Sequence, residues 1–181
     1  MTAALKTQRG SYAGIGSRAT PRDVLKLMTM LALDLAAEGW TLRTGGAKGA
    51  DRAFFDGSTA AAGRTEVYLP WPGFGGIQDS RLDRPGERAF EIARRHHPAW
   101  SACSSAAQAL HARNSHQVFG ETLEDPSSFV VCFTPDGSLT GDSREAGGTG
   151  QALRIASTAD IPVFNLRRPE HRERIEAFVT A

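Results

Sequence analysis

The stretch Thr44-Gly45-Gly46-Ala47-Lys48-Gly49-Ala50-Asp51 decides the fold. An apolar, strand-like run, Trp40 to Arg43, leads into it, and a helix-like segment, Ala50 to Ala62, leads out. A glycine turn between a strand and a helix lets backbone N–H groups come close to an anion, and the helix N-terminus adds partial positive charge at the same place. Lys48 would stand beside such an anion, and Asp51 falls in the first helical turn. The turn lacks the Gly-Lys-Ser/Thr ending of a P-loop, and its spacing is not G-x-G-x-x-G. The same residues also suit a tight turn that needs glycine only for its backbone, with Asp51 complementing the helix dipole.

Two further glycine clusters repeat the pattern. Gly14-Ile15-Gly16-Ser17-Arg18 closes a first strand beginning at Tyr12, and Gly147-Gly148-Thr149-Gly150-Gln151 precedes a helix read over Thr149 to Ala159. Ser17 can donate to a phosphate and Arg18 can grip one bidentately. The Thr149 hydroxyl adds a donor beside the backbone amides of Gly147, Gly148 and Gly150. Thr20-Pro21 is a helix start, with a hydroxyl N-cap and proline at the first helical position. Val24, Leu25, Leu27, Met28, Leu31, Leu35 and Ala36 then form one apolar face.

Farther along, Thr65 to Trp71 reads as a third strand and Gly73 to Gly86 as a loop long enough to be a functional flap. Pro85 to Arg95 and Ser104 to Phe119 read as helices broken apart at His97-Pro98. Ser128 to Phe133 is a continuous apolar run of the kind that suits a central parallel strand. Ile161 to Leu166 is a short last strand and Glu170 to Val179 a charged terminal helix. This alternation predicts an α/β chain: one doubly wound, Rossmann-like domain with a mainly parallel sheet of about five strands and helices on both faces. The domain spans 11–181, after a loose N-terminus over 1–10. In such a sheet ligands bind beyond the C-terminal ends of the strands, where the three glycine clusters can meet.

Composition narrows the function. With 21 basic and 20 acidic residues the net charge is +1, which argues against broad coating of nucleic acid but leaves room for a local basic groove. The 181 residues, 40% hydrophobic and 23% charged, fit a globular domain with a full core. The N-terminus lacks the apolar core of a signal peptide, and no apolar stretch approaches a membrane span, so the expectation is a cytoplasmic protein with no membrane partner. Cys103 and Cys132 show no metal-ligand spacing and read as free thiols. His111 and His116 stand five apart, off one helical face, and His96-His97 has no acidic partner at metal spacing, so no metal is expected and these histidines read as capping or solvated. Trp71, Trp100 and Phe74 are candidates for a pocket mouth, with core packing preferred for Trp71. Arg113-Asn114 sits in a helical stretch, where the arginine would reach a ligand and the asparagine fix a loop.

Together these residues resemble the DprA/Smf-like and LOG-like group of Rossmann-type proteins, the SLOG superfamily, from Tyr12 to Leu166. Gly16-Ser17-Arg18 resembles its G-S-R element, Thr44 to Asp51 its S-G-G-A-x-G-x-D element, Arg113-Asn114 its R-N pair and Gly147 to Gly150 its second phosphate loop. The DprA branch implies single-stranded DNA binding. The LOG branch implies cleavage of a nucleotide N-glycosidic bond by P-G-G-x-G-T-x-x-E and an arginine. Here Ala146, Gln151 and Arg154 replace the proline, threonine and glutamate of that motif, so a cation stands where the carboxylate would be. His111-Ala112 also precedes Arg113 where DprA proteins carry F-P-x.

The expectation is therefore binding of a nucleotide-type small molecule without a cofactor, with single-stranded DNA a less favoured partner. Gly45, Gly46, Lys48, Gly49, Gly147, Gly148, Thr149 and Gly150 would cradle phosphate, flanked by Gly16, Ser17 and Arg18. Asp51 and Arg113 are the catalytic candidates, and Glu145 an alternative carboxylate. The resemblance also implies a homo-oligomer, joined through Ser104 to Phe119.

Overall fold

A computed structural model describes residues 9–180. The chain runs β1 (Ser11–Gly14), α1 (Arg22–Ala37), β2 (Thr41–Thr44), α2 (Ala50–Ala60), β3 (Thr65–Val67), α3 (Glu87–Arg95), α4 (Ser105–Phe119), β4 (Phe129–Cys132), α5 (Gly147–Thr158), β5 (Val163–Asn165) and α6 (Pro169–Val179). All four strand pairings are parallel, in the order β3-β2-β1-β4-β5. The order reverses between β1 and β4, so the crevice of a doubly wound sheet lies beyond their C-terminal ends.

Alternation along the strands builds two cores. Tyr12, Leu42 and Val131 face α1, α2 and α6, while Ala13, Val130 and Cys132 face α4 and α5. Helix α1 buries Val24, Leu27, Met28, Leu31 and Leu35, the face its spacing foretells. Each such large side chain contributes about 1.5–3 kcal/mol when fully buried. Helix α4 is buried without a break from Ala112 to Val118, because it lies between the sheet-side core and α3. The stretch expected to join protomers is thus partly consumed inside its own chain.

Several boundaries differ from those read in the sequence. Residues 1–8 of the loose N-terminus lie outside the described residues, but Arg9 is tied down: its N–H donates to the Gly39 carbonyl at 3.1 Å and its side chain pairs with Glu38. Thr20 does not cap α1. Its hydroxyl turns back to donate to the Ser17 carbonyl at 2.7 Å, and Pro21 holds the N-cap position. Strand β3 stops at Val67 rather than running to Trp71. Residues Arg81 and Leu82 come alongside, donating to the Val67 carbonyl, and Pro70 has no N–H to continue a ladder. Gly147 and Gly148 open α5 itself instead of forming a turn ahead of it.

Candidate functional site

Helices α1, α2 and α5 each follow a parallel strand, and none of the three has its N-terminus capped by a side chain. Uncapped starts leave backbone N–H groups and a partial positive charge facing outward. Between the starts of α2 and α5 lies a cleft of about 370 Å³. Its walls are Gly16, Ser17 and Arg18 after β1, Ala47 and Asp51 at α2, Arg113 and Asn114 on α4, and Glu145 to Thr149 at α5. Of the three stretches read in the sequence, Gly16 to Arg18 and Gly147 to Thr149 border this cleft, and the third contributes Ala47 and Asp51 rather than its glycines.

Their members play different parts. Gly147, at φ 55°, and Gly148 border open space: a methyl added at either would meet nothing within 4 Å. They present backbone without side chains to the cleft, although the Gly147 N–H itself donates to the Arg144 carbonyl. Asn114 Nδ2 donates to the Gly148 carbonyl at 3.2 Å and to Gln151 Oε1 at 3.0 Å, which fixes this first turn from α4. Gly45, Gly46, Lys48, Gly49 and Gly150 do not line the cleft, which corrects their expected role as cradle. Gly45 makes room for Arg113, since a Cβ there would fall 1.1 Å from Nη1. Gly49, at φ 84°, lies against the backbone of Ser17 and Arg18, and Gly150 packs on Gly141. Lys48 projects into solvent.

Arg113 and Asp51 form a buried ion pair, Nη1 to Oδ2 at 3.2 Å, with both side chains under a tenth exposed. The Ala47 N–H also points at Oδ2, at 3.4 Å. Burial pushes the Asp51 carboxyl above its ordinary value, and the Arg113 guanidinium pulls it back down. Burial likewise lowers Arg113 against the pull of Asp51. Arg113 Nε is buried without a hydrogen-bond partner, and the guanidinium lies 5.9 Å from the centre of the Phe74 ring. Asp51, expected as a ribose contact or a base, is therefore engaged first by its arginine. Gln117, one turn on from Arg113 and Asn114, also lines the cleft with Nε2 buried and unpartnered. Sequence reasoning missed it, although i+3 and i+4 spacing from that pair was the available signal.

The 73–86 loop lies over the Gly45-Gly46 turn: Gly75 abuts the Gly46 carbonyl, and Ile77 packs on Val67 and Leu69. Trp71 is 39% exposed and meets Phe74 edge to face at 5.1 Å, so it is not a core residue. None of Trp71, Phe74 and Trp100 lines the cleft.

Arg154, which stands at the LOG-type glutamate position, faces away from the cleft and ties α5 to its surroundings. Its Nε donates to the His96 carbonyl at 2.6 Å, and its Nη1 donates to the Gly141 carbonyl. Glu145 is the exposed carboxylate on the cleft lining. His96 and His116 do serve helix ends, each sharing Nδ1 with a nearby carbonyl, Ile92 and Gly120. His97 and His111 instead lie beside Cys103, a cluster that sequence spacing did not reveal. His111 also lines the cleft, and burial lowers its imidazole to about 4.

No protein-family model matches the chain, and no curated protein matches it significantly. Solved structures do. DNA processing protein A from Helicobacter pylori, a structure described for its single-stranded DNA binding mode, aligns over 86% of this chain with a TM-score of 0.55 and 19% identity. DprA from Streptococcus pneumoniae aligns over 86% with a TM-score of 0.39 and 13% identity. The chain spans 64% and 58% of those two proteins, less than two thirds of either. Among the described residues no helix is long and apolar enough to cross a membrane. The parallel five-stranded sheet with this likeness is a DprA-like, Rossmann-type fold.

Proposed function

We propose that the cleft binds a nucleotide through its phosphate. One observation carries the proposal. The uncapped start of α5, bare at Gly147 and Gly148, shares a cleft with the exposed Arg18 and with the unused Nε donor of Arg113. Amides at a helix start, a free guanidinium and an underused buried cation are together suited to an anion. A volume of about 370 Å³ fits a single nucleotide rather than a duplex.

The phosphate can belong to a free nucleotide or to one unit of a single DNA strand. The DprA-like fold favours the strand. The near-neutral chain then implies few phosphate contacts rather than many. Titration with a short single-stranded oligonucleotide, in parallel with mono-, di- and cyclic nucleotides, tests the proposal and separates the two sources. Saturable binding of either class, weakened by Arg18→Gln, supports it. No binding of any of them by the folded protein overturns it. Hydrolysis of the N-glycosidic bond finds less support, because Asp51 is paired with Arg113 and Arg154 points away.

A further inference from the structure

We infer that His97, Cys103 and His111 form a binding site for one divalent ion of the zinc class. One ligand atom from each lies within 4.8 Å of the other two. Cys103 Sγ is 3.7 Å from each ring nitrogen of His97, and the rings of His97 and His111 are centred 4.4 Å apart. A tetrahedral ion with Zn–S of about 2.3 Å and Zn–N of about 2.0–2.1 Å holds sulfur and nitrogen ligands roughly 3.6 Å apart, a spacing that Cys103 and His97 already have; closing on an ion requires the His97 ring to turn one lone pair inward and His111 to draw nearer. His111 Nδ1 is buried with no hydrogen-bond partner, an omission that a metal would repair.

The ligands come from two elements. His97 and Cys103 flank the 3₁₀ turn Trp100–Ala102, which joins α3 to α4, and His111 projects from α4. The imidazole of His97 is held through Nδ1, which accepts the Ala99 N–H at 3.2 Å. Ligation through Nε2 would put the proton on Nδ1 and release that amide, an adjustment confined to the connecting turn. Three protein ligands leave a fourth position for water or another ligand, the pattern of an open rather than a closed zinc site. The positively charged Arg154 lines the same hollow as His97, so binding is expected to be weaker than at a four-ligand structural site. None of this depends on the nucleotide proposal, although His111 borders both places.

Cobalt(II) titration of the reduced, metal-stripped protein tests the site. The expected result is one equivalent bound, with a thiolate-to-metal charge-transfer band and the visible bands of a tetrahedral centre. Cys103→Ser should abolish the charge-transfer band, and His111→Gln should weaken binding at least tenfold. A second readout needs no variant: zinc should slow alkylation of Cys103, the accessible thiol, while Cys132 stays buried in either case. Absence of the charge-transfer band together with unchanged alkylation would overturn the site.

Discussion

At the residue scale, the pair Asp51–Arg113 organises the site, and Gly45 permits it. A methyl at Gly45 cannot coexist with Nη1 at 1.1 Å, so Gly45→Ala must displace Arg113 and strand a buried carboxylate. Breaking a buried pair in this way costs about 3–5 kcal/mol. Gly45→Ala should therefore lower stability by that order in chemical denaturation and lose ligand binding as well. An unaltered denaturation midpoint would show that the arginine has another place to go. His116 sets a pH dependence. Its Nδ1 bonds to the Gly120 carbonyl, its Nε2 is buried and unpartnered, and the ring stacks on Tyr68 at 5.4 Å. Burial lowers its pKa, while the Gly120 and Glu121 contacts work the other way without reversing it. The folded state thus holds His116 neutral where the unfolded chain takes up a proton. Its contribution is fully present above about pH 6.5 and is lost as pH falls toward the depressed folded value. His116→Gln should flatten the decline of the thermal midpoint between neutral pH and pH 5; an equally steep decline in the variant would assign it to other groups.

At the element scale, the start of α5 separates binding from stability. Gly148 has open space around its α-carbon and an ordinary helical backbone, so a side chain fits there. An aspartate would sit at the positive end of the helix, where a negative charge contributes about 0.3–1 kcal/mol, and replacing helical glycine by aspartate adds only about 0.3 kcal/mol. Gly148→Asp should raise the thermal midpoint by a few degrees and abolish phosphate binding, because its carboxylate occupies the anion's place. A stabilised variant that still binds would remove α5 from the site. The sequence made this region legible as a glycine-rich helix entry but placed the helix start two residues late, because propensity counts Gly147 and Gly148 against a helix. What it could not convey was the division of labour among the glycines. Gly45 and Gly147 look alike in a string; only the fold shows one pressed against a guanidinium and the other against open space. Strand β3 is shorter than its apolar run for a similar reason: after Val67 the Tyr68 N–H still donates to the Thr44 carbonyl of β2, but the Leu69 N–H turns to the Leu82 carbonyl instead.

At the scale of the whole molecule, the alternation of strand-like and helix-like segments is enough for a parallel, doubly wound sheet, and the run that becomes β4, Phe129–Cys132, is apolar on both faces as a central strand requires. The meeting of Gly16 to Arg18, Asp51 and Gly147 to Thr149 follows from their places at strand ends, whereas Arg113 and Asn114, in the middle of α4, are tied to the site by the family resemblance. The His97–Cys103–His111 cluster follows from neither, since a 3₁₀ turn brings its ligands together at intervals no helix or strand would give.

The most direct test of an anion cleft at the β1–β4 crevice is the salt dependence of oligonucleotide binding. For a single strand, log K should fall against log salt with a slope of about −0.7 for each phosphate contacted. The wild-type protein should show a shallow slope of one to a few contacts, and Arg18→Gln should reduce it by about one contact's worth. Binding with no salt dependence, or a slope that Arg18→Gln leaves intact, would contradict it.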